Sequence, residues 1–164
     1  MAATSTIGAF LDELKIDLDA ITPGLDGVRV FTAPVDEVTE GDEAILLGYE
    51  AITAEWTMQG PKTVAEHYTV PCRVLCFKPG ATNVAATGKA TETQVSAARD
   101  RALAILHILY DQSYTDHHAS STVEDWNITG VTIEQAPYEQ GQTPGRICAV
   151  TFTIEVSAMF TPAA

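Results

Sequence analysis

The residues whose types and spacing could do chemistry gather in one stretch, where Asp116, His117 and His118 run consecutively and Asp111 and His107 precede them. Carboxylate and imidazole donors together could hold a divalent cation for metal-assisted hydrolysis. That chemistry needs further ligands from elsewhere, because adjacent histidines on one loop rarely chelate one ion by themselves. The other histidine, His67, belongs to a strand-like run. A solvated polar loop is therefore the expectation, with His107 and Asp111 a surface pair four residues apart on a helix. Cys72 and Cys76 form a C-x3-C pair, but on an extended strand they stand about 13 Å apart, beyond disulfide or shared-metal reach. With Cys148 they read as reduced core residues of a protein made in a cytoplasm. No phosphate-binding glycine loop, G-x-S-x-G elbow or H-E-x-x-H helix occurs. Asn127-Ile128-Thr129 matches a glycosylation acceptor, which means little without secretion. No catalytic residue, metal ligand or cofactor is expected, and the chain does not read as an enzyme.

The totals point the same way. A chain of 164 residues with 46% hydrophobic and 19% charged content is expected to form one globular domain with a real core. A formal charge of -13 argues against gripping a phosphate backbone, which needs clustered Lys and Arg. It suits a solubilising surface, or a lining that nucleic acid passes without sticking. The N-terminal stretch lacks a basic region and soon turns acidic and helical, so no signal peptide is expected. The longest apolar run, around Ala102–Tyr110, is broken by His107 and is too short to span a bilayer.

The elements that must position these residues follow from periodicity. A helix is expected over 5–22, where Ile7, Phe10, Leu11, Leu14, Leu18 and Ile21 form one apolar stripe ended by Pro23-Gly24. A strand at about 28–33 precedes the acidic stretch 34–43, which carries Asp36, Glu37, Glu40, Asp42 and Glu43 without a compensating base. Strands at about 44–58 and 63–77 read as a long antiparallel hairpin, with Gly48 a bulge or bend and Pro71 at an edge or bulge. A long helix over 91–113 is capped by Thr91 and Gln94. It presents Ile105, Ala98, Leu109, Ala102, Val95, Leu106, Tyr110 and Leu103 on one wide arc. Arg99 lies inside that arc and Ile108 outside it, which makes Ile108 a candidate partner contact beside its plainer reading as a scattered surface isoleucine. Strands at about 126–135 and 146–160 complete the chain, the last alternating from Cys148 to Phe160. The expected class is α+β: an antiparallel or mixed sheet with a long hairpin, packed against one long and one N-terminal helix.

This order of elements resembles the tail terminator proteins of long-tailed bacteriophages, small ring-forming proteins that cap a finished tail tube. IGAFLDELKIDL, YTVPCRVLCF, AARDRALAILHIL and RICAVTFTIEVSAMF carry the resemblance, which covers the chain almost end to end. It rests on order and style of sequence, without an invariant motif. It implies a homohexameric ring between tail tube and head connector, assembled in the host bacterial cytoplasm and carried in the virion. It implies no catalytic residues and no membrane; the partners would be further copies of the chain, the tail tube protein and a connector or neck protein. DNA would pass the channel without specific binding, and some of Asp36, Glu37, Glu40, Asp42 and Glu43 are expected to face that channel or its rim. Alternatives are a neck or head-completion protein, a tail tube subunit richer in strand, or a small metal-dependent enzyme or ligand-binding domain using the histidine loop.

Overall fold

Strict alternation between Val64 and Cys76 produces the strand around which the sheet is laid. The computed structural model describes residues 4–33, 43–79, 92–140 and 143–162. In chain order these form α1 (Ile7–Asp19), β1 (Val28–Phe31), β2 (Glu43–Leu47), β3 (Thr53–Met58), β4 (Val64–Pro79), α2 (Glu92–Thr115), β5 (Asp125–Gln140) and β6 (Thr143–Phe160). The class is α+β, with two helices and one mixed six-stranded sheet. The strand order is β1-β2-β4-β6-β5, with β3 also paired to β4. Only β1 and β2 run parallel; the other pairings are antiparallel.

Both helices lie on one face of the sheet. Tyr68, Val70, Cys72, Val74 and Cys76 of β4, and the alternate residues Cys148 to Phe160 of β6, are all buried there. α1 contributes Phe10, Leu11, Leu14 and Leu18 to this core, and the Phe10 ring meets Tyr68 and Trp126 edge-on at 6.1 and 5.7 Å. α2 contributes Ala98, Ala102, Ile105 and Leu109. The buried arc of α2 is narrower than its periodicity suggests, because Leu106 is only partly covered and Tyr110 is exposed. Thr91 of the expected Thr91–Gln94 cap lies outside the described residues.

The single strand expected over 44–58 is instead two strands. β2 pairs with β4 down to Leu47↔Cys72, β3 resumes at Thr53↔Thr69, and Pro71 falls in the gap. Proline offers no N–H to a ladder. Here its carbonyl accepts bonds from both Gly48 N (2.9 Å) and Tyr49 N (3.2 Å), and Gly48 makes the bend with φ +74°. The last two strands extend further than expected, to Gln140 on β5 and back to Thr143 on β6, with a bulge between Thr129 and Thr132. β5 is an edge strand, and Val131 in its bulge and Ile133 opposite the fully buried Val150 stay 49% and 42% exposed.

Candidate assembly surface

Among the described residues three strands pair on one side only: β1 with β2, β3 with β4 and, on the far side of the sheet, β5 with β6. Such edges offer rows of N–H and C=O groups that readily accept another strand. The β3 and β5 edges also carry exposed apolar side chains. On β3 these are Trp56 (61% exposed) and Met58 (65%), on β5 Val131 and Ile133. Beside β5, Tyr110 and Tyr114 of α2 line a groove with Trp126, Asn127 and Ile128. The face away from the helices is polar across β3, the start of β4, the end of β6 and the start of β5, while Ala44, Leu46 and Phe77 are buried on it further along. Across it runs a cross-strand row Glu55–His67–Ser157–Asp125, in which His67 Nδ1 lies 3.1 Å from Ser157 Oγ.

A fully buried acid, Glu66, and a half-buried one, Glu43, hold the strands in place. Glu66 shares the core-facing parity of Tyr68 and Val70 and is fully buried at the start of α1. Its carboxylate accepts bonds from Thr6 N (2.9 Å), Thr6 Oγ1 (3.0 Å), Ser5 Oγ and Trp56 Nε1 (2.9 Å). Burial pushes the Glu66 pKa up, but the Ser5, Thr6 and Trp56 donors outweigh it and hold the carboxyl below its ordinary value. The bond to Glu66 and the edge contact of the Trp56 ring with Phe160 (5.7 Å) fix an indole that is otherwise mostly in solvent. Glu43, at the start of β2, bridges Lys78 of β4 (2.9 Å) and Arg101 of α2 (2.8 Å). Burial again raises its pKa, and the bonds from Arg101 and Lys78 carry it below the ordinary value.

The residues singled out by sequence fare differently. Asp36, Glu37, Glu40 and Asp42 lie outside the described residues. Glu43 does not stand without a compensating base: it begins a strand and is paired with two cations from distant parts of the chain. Ile108 is not a free surface residue. It packs against the core, and its Cδ1 lies 3.0 Å from where a Cβ on Gly24 would stand. Glu66 and Trp56 were not singled out. The signal for Glu66 was available, because an acid at a core-facing position of an alternating strand must find donors.

The histidine loop is structural in its contacts. Asp116 Oδ2 accepts Ser120 N (2.8 Å), and Asp116 O accepts Trp126 Nε1 (2.8 Å). These bonds close a turn in which Ala119, Ser120 and Ser121 all take positive φ (44°, 54° and 72°) while Ala119 is buried. His118 Nδ1 faces Glu124 O at 2.7 Å, and His117 Nδ1 lies 3.6 Å from Asp125 Oδ1. Among the described residues, no group of three or more His, Cys, Asp or Glu is arranged to hold a metal ion. Nor is any described helix long and apolar enough to cross a membrane.

Comparison of the chain with protein-family models and with curated proteins returned no match.

Proposed function

We propose that this chain is a ring-forming structural subunit of a phage tail at its junction with the head, in the manner of a tail terminator. The observation that carries the reading is that two of the three edge strands among the described residues, β3 and β5, lie on opposite sides of one sheet and carry exposed large apolar side chains. Different patches on opposite sides favour head-to-tail contacts, which close into a ring when the rotation per copy divides a circle. The resemblance in element order supplies the virion role and the expected subunit number of six. The charge of -13 suits a channel that DNA traverses without adhesion. Asp36, Glu37, Glu40 and Asp42 are the acids proposed for that channel or its rim.

A tail tube subunit is the second reading, favoured by a strand content of 47% against 26% helix. A neck or head-completion protein shares the ring geometry and differs in its partners. Native mass spectrometry at micromolar concentration tests the proposal. A closed species near six times 17.5 kDa supports a terminator or neck ring. Open-ended polymers favour the tube subunit, and binding to isolated tail tubes then separates terminator from neck. A monomer that also fails to bind tube ends overturns the proposal.

A further inference from the structure

We infer that Cys76 and Cys148 are a latent cross-strand disulfide pair, a modification site that closes when the folded protein meets a small-molecule disulfide oxidant. The two residues sit on neighbouring central strands and are direct register partners. Both are buried on the helix face. Their spacing can be read from the ladder. Pro71 turns its carbonyl toward Gly48 and Tyr49, away from β6. Backbone polar groups alternate sides along a strand, so the even-numbered residues of β4 turn theirs toward β6. Cys76 and Cys148 are therefore a hydrogen-bonded antiparallel pair, with Cα atoms about 5.5 Å apart. Disulfides occupy a Cα window of about 4.4–6.8 Å, which this pair meets. They also occupy a Cβ window of about 3.5–4.5 Å, so the facing Cβ atoms, about 4.5–5.5 Å apart in such a pair, must draw together as the bond closes.

The third cysteine is excluded by the same register. Cys72 is opposite Phe152 on β6 and Leu47 on β2, and its thiol donates to Val70 O at 3.3 Å. It stands four residues from Cys76 along one strand, about 13 Å away.

Burial pushes both thiols up, Cys76 to about 12, and the Glu43 carboxylate adds to the rise at Cys76; Arg101 and Lys78 act the other way on Cys76, and Arg99 on Cys148. The reduced pair is therefore inert until the sheet–helix contact opens locally. When it does, one thiolate attacks a sulfur of the oxidant, joining to it and expelling one small thiol. The second cysteine, losing its proton to solvent, attacks the protein sulfur of that mixed disulfide and expels the other small thiol. The protein loses two protons and two electrons, and the oxidant leaves as two thiols.

The test incubates the purified full chain with oxidised glutathione and follows titratable thiols, intact mass and the peptide map. The expected result is a fall from three free thiols to one, with a peptide joining Cys76 to Cys148. Cys72→Ala should still form the bond and be left with no free thiol. Retention of all three thiols, a bond involving Cys72, or a lasting glutathione adduct on either partner would overturn the assignment. The wild-type map decides this even if Cys72→Ala fails to fold.

Discussion

Glu66 caps α1 from 60 residues away: its Oε2 accepts both Thr6 N at 2.9 Å and Thr6 Oγ1 at 3.0 Å. Thr6 is the N-cap residue but makes no side-chain cap bond within its own helix. A carboxylate from β4 takes that role and places negative charge at the positive end of the helix. The same carboxylate holds Trp56, so the start of α1 and the exposed β3 edge share one anchor.

Replacing Glu66 by Ala should therefore cost about 2–4 kcal/mol, because several buried donors lose their acceptor at once. Urea unfolding of E66A measures it. The indole fluorescence of Trp56 should change in the same variant even where the chain stays folded.

Acid stability follows from the signs of the shifts. Glu66 and Glu43 both have folded pKa values below the ordinary carboxylate value of 4.5, so their contribution is present above that pH. It is lost as pH falls through the depressed folded values. Asp17 behaves oppositely. Burial, then Glu13 and Asp116, raise its pKa, so protonating it on the way down relieves a penalty and offsets part of the loss. Unfolding midpoints should fall steadily below about pH 4.5, and E66Q and E43Q should each flatten that slope. An unchanged slope in both variants would disprove the assignment.

Gly145 is held by proximity rather than by backbone angle. A Cβ there would stand 2.6 Å from the Phe77 ring and 2.7 Å from Lys78 O. Lys78 O is backbone and cannot swing aside, so Gly145→Ala should destabilise by about 1–3 kcal/mol. Thermal unfolding reads the loss. Gly8, with open space around its Cβ position and no positive φ, is the control for bulk alone.

The two edges can be tested separately from stability. Met58→Lys and Ile133→Lys introduce charge at exposed positions and should change monomer stability by no more than about 0.5 kcal/mol. Under the ring proposal either substitution lowers the native mass toward 17.5 kDa. Full-size rings in both variants would remove β3 and β5 from the interface.

Neutralising Asp36, Glu37, Glu40 and Asp42 together should hinder genome passage or tail joining, read as reduced infectivity of a phage carrying the changes. Unchanged infectivity would make the segment a solubility device.

The sequence by itself determined which residues form elements and which faces are apolar. Periods of 3.6 and 2 are local properties, so the stripe of α1, the alternation of β4 and β6 and a bulge or bend at Gly48 were legible without a fold, but not the division of that strand into two. What only the tertiary structure decided is pairing between distant segments. The partners of Glu43 are 35 and 58 residues away, and those of Glu66 include one 60 away; no local pattern ranks such contacts. Register did the same for the cysteines. Spacing along one strand correctly separated Cys72 from Cys76, while the partner of Cys76 was set by how β4 and β6 lie side by side. Ile108 shows the limit from the other direction, because a helical wheel knows one helix and not the turn after α1 that covers its far side.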